Sequence, residues 1–417
     1  MLSFESARAK VIEVICARTG APKSKNLVTE SVDISRDPSA ALGRFLAEDI
    51  VADRNYPPFD RSIRDGFALR ASDAAAPGAR LRLIGESRAG VAFDGAVCQG
   101  ECVRILTGAP LPKGANAVLM HEHTRSEGEF VIPQQPVHAG LHFVPAGAEA
   151  RIGEVVVARG TRLSYAELAV AAEVGRSRLH VSRRPRVAIL STGDELISLG
   201  DKPGPFQIRN SNNISIAAQV ALAGGEPILS GNARDNTDEL RAAIERGLEA
   251  DILILSGGVS AGKYDLVEGV LQDLGAELFF DAVAIRPGKP VVFGWCRGRP
   301  AFGLPGNPVS TMITFELFVA PAIEALSGHA PRPLPFFKAK LAHPISEKGS
   351  VAHFLPARVT WPTGESGGDA KVEVVLWEGS GDIGAVVRGN CFLVVHASRL
   401  QLEAGEWVDI FPRRGAL

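Results

Sequence analysis

Three short segments rich in glycine and proline hold the residues with the most evident chemistry: SGGVSAGKYD from Ser256 to Asp265, RPGKP from Arg286 to Pro290, and LPGNPVS from Leu304 to Ser310. In the first, Ser256, Gly257, Gly258, Ser260 and Gly262 form a loop whose backbone amides can converge on an anion. Asp265 places a carboxylate beside it, a ligand for a cation. In the second, the prolines at 287 and 290 brace Arg286 and Lys289, so both cations can be held toward an oxyanion with little entropy to lose. In the third, Pro305 and Pro308 frame a turn and Asn307 is placed to cap a helix beginning near Val309. Ser310 then falls in the first turn, where free amides and the helix dipole favour an anion. Each segment alone reads as a turn. Three in succession, two of them with charge or hydroxyl groups, predict a phosphate cradle, a metal ligand and a small cationic pocket.

These loops need strands to hold them. The run Asp251 to Leu255 is short, β-branched and bounded by glycines, as expected of a strand buried in a parallel sheet with SGGVSAG at its carboxyl end. Upstream, strand RVAILST, helix NISIAAQVALAG, strand EPILSGNARD and helix NTDELRAAIERGLE alternate from about Arg184. That alternation predicts a doubly wound parallel α/β sheet, with its ligand at the carboxyl edge. The loops at that edge carry Asp194, Glu195, Asn212, Asp235 and Asp265. Acidic groups gathered beside an anion cradle must bind a cation or titrate. Asp235 ranks below Asp265 as a ligand, because an Asp just before a helix is often only part of its cap.

Outside this domain the texture changes. Residues 3–18 show helical spacing of apolar positions, and the polar stretch 19–31 reads as a linker. Between Asp53 and His142 short alternating runs such as LRLIGES, ECVRILTG and EFVIPQ predict a β-rich module. It opens on NYPPFDRSIRDGFALR, where Asp65-Gly66 is either a tight turn or a presented carboxylate. His121-Glu122-His123 lacks a third ligand at strand spacing and reads as a solvated strand end. Residues 151–180 return as strand, turn and alanine-rich helix, so the β-rich module is an insertion. The expected division is 1–50 joined by 151–182, an inserted module 51–150, an α/β domain 183–330, and a carboxyl-terminal β domain 331–417 that is closed or nearly so.

The bulk properties narrow the function. Lys+Arg of 45 against Asp+Glu of 47 leaves a net charge of -2, so no global field attracts nucleic acid or an anionic membrane. The amino terminus lacks the apolar core of a signal peptide and no run reaches the length of a membrane span, which together predict a cytoplasmic protein. Five cysteines, at 16, 98, 102, 296 and 391, form no repeated CxxC pair; they are expected to be free thiols, not zinc ligands or a disulfide framework.

With PPFDRSIRDGFALR, RILTGAPLPKGANAVLM, STGDEL, SGGVSAGKYD, RPGKP and GLPGNPVS in this order, the chain closely resembles the molybdopterin molybdenumtransferases, the family of bacterial MoeA and the gephyrin E domain. The resemblance implies insertion of molybdate into adenylylated molybdopterin with release of AMP, assisted by magnesium. It implies a four-part fold and a homodimer, with contacts to the molybdopterin adenylyltransferase and to molybdoenzyme chaperones. By motif, Asp65 and Thr107 would act across the subunit interface, and Glu195, Asp235 and Asp265 around the pyrophosphate and metal. Arg286, Lys289, Ser310 and Ser380 would surround the oxyanion. The chain departs from the family where an expected arginine is replaced in Gly349-Ser350-Val351, with Arg358 or Lys348 as candidate substitutes. Two alternatives follow from that departure: a paralogue that inserts tungstate, or a non-catalytic scaffold that binds the pterin.

Overall fold

The computed structural model describes residues 1–20, 28–234, 236–258, 266–329, 332–362 and 368–416. The chain divides into two compact units, one of residues 1–30, 43–45 and 181–417, the other of residues 31–42 and 46–180.

The first unit begins with helix α1 (Phe4–Thr19), capped by the Ser3 side chain and closed by Gly20 at φ 72°. Its sheet contains β1 (Arg186–Thr192), β2 (Glu226–Ala233), β3 (Ile252–Ser256), β4 (Glu277–Ala282), β5 (Pro290–Cys296) and β6 (Arg299–Leu304). Helix α2 (Ser211–Ala223) joins β1 to β2, α3 (Thr237–Gly247) joins β2 to β3, and α4 (Leu266–Asp273) joins β3 to β4. Helix α5 (Pro308–Leu326) follows β6 and contains a π turn at Phe315–Val319.

The strand order is β2-β1-β3-β6-β5-β4. Parallel pairing links β2, β1, β3 and β6, as the βα alternation predicts. Strand β5 is reversed, antiparallel to both β6 and β4. Reversal puts the start of β5, at Pro290, on the edge where the parallel strands end. Successive strand residues face opposite sides of the sheet. Val187, Ile189, Ile252 and Ile254 meet α1, α2 and α5 in one core, whereas Ala188, Leu190, Leu253 and Leu255 meet α3 and α4 in another. Burial on both faces is why these strands lack polar alternation.

The same unit ends in a small barrel of β7 (Phe337–Leu341), β8 (Ala352–Thr360), β9 (Lys371–Val374), β10 (Cys391–Val395) and β11 (Trp407–Pro412). It is closed in the order β8-β9-β7-β11-β10, with β10 returning to β8. Leu355, Ala357, Val372, Leu393 and Ile410 fill its interior. The alternate residues Phe354, Phe392, Val394 and Phe411 face outward and join the core of α1 and α5. Phe4 of α1 meets Phe354 edge to face at 5.3 Å.

In the second unit, a six-stranded sheet runs from Gly66–Leu69 through Leu81–Ser87, Glu101–Ile105, Ala117–Met120 and Thr124–Glu127 to Phe130–Pro133. Gly66 starts its strand with no space for a side chain: a Cβ there would stand 2.0 Å from the Leu119 carbonyl oxygen. The chain bends over residues 63–65 and enters the strand at Gly66, so the Asp-Gly step joins a bend to a close strand approach. The His121–His123 segment is a 3-10 turn just after the strand, with His121 and Glu122 exposed and His123 half-buried.

Candidate functional site

A cavity of about 820 Å3 opens at the carboxyl edge of the sheet. Its wall is made by the segments that leave β1, β3 and β6, together with the first residues of α2. Thr192 and Glu195 follow β1, Ser256, Gly257 and Gly258 follow β3, and Pro305 to Pro308 follow β6. Pro290 reaches the same edge because β5 is reversed.

Gly257 lies at φ 93°, and a Cβ would meet the Thr192 carbonyl oxygen at 2.6 Å. Only glycine fits that approach and that backbone conformation. The Gly257 N–H donates to Leu304 O at 3.1 Å, tying the end of β3 to the end of β6. Glu195 is exposed and its carboxylate folds back over Gly193, with Oε2 2.6 Å from where a Cβ would stand.

Asn212, in the first turn of α2, fastens three of these pieces. Its Nδ2 donates to Ser256 Oγ at 2.9 Å and to Gly306 O at 2.8 Å, and lies 3.5 Å from Thr311 Oγ1. Asn307 occupies the position before α5, yet its side chain makes no cap hydrogen bond. Instead Nδ2 donates to Ser380 Oγ at 2.9 Å, and the Val309 N–H donates to Ser380 O at 3.0 Å. The expected cap is corrected in this way: the barrel offers a better-placed acceptor, and Pro308 in the first turn has already removed one free donor. Gly381 and Ile383, just beyond Ser380, complete that side of the cavity.

The cationic pair lies beside this cavity in sequence but does not line it. Arg286 and Lys289 are both exposed, and Ser310 is buried without bordering the cavity. Ile285–Arg286 pairs in parallel with Ala352 and His353 of β8, so RPGKP is anchored on the barrel. His353 is buried, with Nδ1 3.0 Å from a Glu347 carboxylate oxygen; burial lowers its pKa, and Glu347 opposes that shift. Arg358 Nε is committed to Arg388 O at 3.0 Å.

Asp65 and Thr107 meet within the second unit. Asp65 accepts from the Thr107 N–H at 2.6 Å and from Thr107 Oγ1 at 2.7 Å, and these bonds hold its carboxyl below the usual carboxylate range. Asp235, Ser260 and Asp265 lie outside the described residues. Among the described residues no three His, Cys, Asp or Glu side chains group as metal ligands.

Sequence reasoning found the glycine and proline loops because their signals are local. It counted Asn212 among the substrate-binding residues without finding the partners that hold it, and missed Thr311, whose partners are 99 residues away or four to six residues upstream. The repeated asparagines of RNSNN were the available signal.

Three family descriptions match successive parts of the chain: the MoeA N-terminal region, domains I and II, over residues 2–175; a probable molybdopterin binding domain over 188–325; and the MoeA C-terminal region, domain IV, over 338–412. The molybdopterin molybdenumtransferase of Haemophilus influenzae is 33% identical over 415 residues, covering 99% of this chain and 98% of its own. That of Bacillus subtilis is 33% identical over 380 residues, covering 89% and 87%. A crystal structure of the molybdopterin biosynthesis MoeA protein from Pyrococcus horikoshii aligns over 100% of both chains, with 31% identity and a TM-score of 0.74. The chain therefore belongs to the molybdopterin molybdenumtransferases, transferases of molybdenum cofactor biosynthesis that act on molybdopterin.

Proposed function

We propose that this transferase inserts molybdate into adenylylated molybdopterin and releases AMP. The observation that carries the reading is the cavity itself, where Gly257, the first turn of α2 and the PGNP turn converge at one sheet edge. The Gly257-Gly258 backbone and the start of α2 suit the phosphates. The exposed cations Arg286 and Lys289 suit a doubly charged oxyanion and orient it for transfer. Ser380, held by Asn307, adds a hydroxyl on the barrel side.

Hard oxygen donors suit magnesium. Glu195 borders the cavity, and Asp235 and Asp265 stand in sequence just after β2 and just before α4. These three carboxylates would hold the ion, which would neutralise charge on the leaving phosphate. A homodimer is the expected assembly, with Asp65 and Thr107 serving the partner's site. The exposed Leu199, Phe206 and Ile208 support it by offering an apolar surface to a second copy. A cytoplasmic location follows the same reading, as do transient contacts with the adenylyltransferase that supplies the substrate and with chaperones that receive the product.

Incubation with adenylylated molybdopterin, magnesium and molybdate should release AMP and yield a cofactor that reconstitutes an apo-molybdoenzyme. Binding without AMP release would leave a pterin scaffold. A tungstate arm belongs in the same assay, because Ser350 and Val351 supply no cation and Arg358 is engaged with Arg388.

A further inference from the structure

The stretch Asn210, Asn212, Asn213 buries three carboxamides at the start of α2, with 7%, 9% and 8% of their surface exposed. Two of them are accounted for by the protein. Asn210 Oδ1 accepts from the Asn213 N–H at 3.1 Å and its Nδ2 donates to Asn232 Oδ1 at 2.6 Å. Asn213 Oδ1 accepts from Ser191 Oγ at 2.5 Å. Asn212 differs. Its Nδ2 reaches Ser256 Oγ and Gly306 O, and because a carbonyl can only accept, the orientation of the amide is fixed. Its Oδ1 is then buried with no hydrogen-bond partner among the described residues. Asn212 nevertheless borders the cavity.

A buried acceptor left unpaired is costly, and native proteins keep few of them without a use. The amide cannot turn to relieve it, since turning would set Oδ1 against Gly306 O. A phosphate oxygen does not complete it either, because two acceptors repel. What completes it is an N–H or O–H. We propose that Asn212 Oδ1 accepts a hydrogen bond from a donor group of the bound ligand, while its NH2 group fixes the loops that shape the cavity. This rests on the proposed function for the identity of the ligand. In adenylylated molybdopterin the donor comes either from the lactam and amino groups of the pterin or from the amine and hydroxyls of the adenosine. Asn212 thereby selects for a donor-bearing edge and against an isosteric edge that presents an acceptor.

The test measures binding of two probes to the full chain by anaerobic calorimetry, molybdopterin alone and AMP alone. Asn212→Leu keeps the shape and removes the acceptor. It should weaken one probe about tenfold or more, equivalent to ~1.4 kcal/mol, and the affected probe identifies the source of the donor. Wild-type protein supplies a measurement that does not depend on the variant folding. With 13C-labelled asparagine, the side-chain carbonyl resonance of Asn212 should shift on saturation with the same probe.

A folded Asn212→Leu protein that binds both probes as the wild type does would overturn the inference, as would an Asn212 carbonyl resonance unmoved by probes that bind. Wild-type protein that binds neither probe would remove the proposed function, and this inference with it. The two failures are thus distinguishable.

Discussion

Asp65 illustrates how one residue is tuned. Its pKa is depressed chiefly by the Thr107 hydroxyl and then by the Thr107 amide. A folded-state pKa below the unfolded value contributes stability above the unfolded value, and that contribution is lost as pH falls through the folded one. Thr107→Val removes the hydroxyl and leaves the amide. NMR titration of the Asp65 carboxyl carbon should then show its pKa rising toward the ordinary 3.8, with any stability change confined to that acid window. An unmoved pKa would assign the shift to the backbone alone. For Asp265→Asn, AMP release should fall about 10²-fold or more if the carboxylate holds the cation on the leaving phosphate, a typical loss for one electrostatic element. Unchanged release at saturating magnesium would return Asp265 to a structural role. At this scale the sequence was readable where chemistry and backbone requirement coincide, as at Gly257. It was not readable where the partner is remote, as for Asn307 and Ser380, 73 residues apart.

Helix α5 shows what elements add. Its π turn at Phe315–Val319 widens the helix, and Gln219 of α2 donates to Met312 O at 3.1 Å and to Glu316 Oε1 at 2.9 Å. Arg414, after the last barrel strand, donates to Glu316 Oε2 at 3.0 Å and lies 3.6 Å from Glu324 Oε1. Both carboxylates are buried, with 8% of each side chain exposed. Arg414→Met leaves Glu316 with a neutral donor only. Chemical denaturation should report a loss near the lower end of the ~3–5 kcal/mol typical of a broken buried pair, because Arg414 is itself partly exposed. A change under ~1 kcal/mol would show that Gln219 suffices. No local pattern announces a π turn, since the apolar run of α5 satisfies any helical period when every face is buried. The reversal of β5 was hidden for a related reason: alternation gives a strand its faces and leaves its direction open. The expectation that RPGKP lies at the ligand edge held for Pro290 because reversal and position compensate.

At the scale of the molecule, the barrel and the α/β sheet share one apolar core. Phe354 of β8 is fully buried and touches Phe4 and Phe411. Phe354→Ala should cost about 3–5 kcal/mol, as for a large aromatic cavity. The loss should appear in a single cooperative transition followed by circular dichroism and by tryptophan emission together; two separated transitions would show the barrel folding alone. Sedimentation should find a homodimer, and a fully active monomer would sink the shared-site reading. Apolar spacing made the α/β alternation and the closed β ending legible, whereas which face of the barrel turns toward the sheet depends on contacts between segments far apart in sequence.

The outward phenylalanines of the barrel carry a practical consequence. An expression clone cut after α5, at the linker that looks like a natural border, would bare Phe4 and the apolar side of α5 to water and remove Gly381 and Ile383 from the cavity rim. Such a fragment should collect in inclusion bodies, and co-expressing the missing piece as a separate polypeptide should bring it back into the soluble fraction. For protein engineers, the seam suited to a split reporter therefore runs through the interior of this molecule, even though the chain crosses it once in a proline-rich tether.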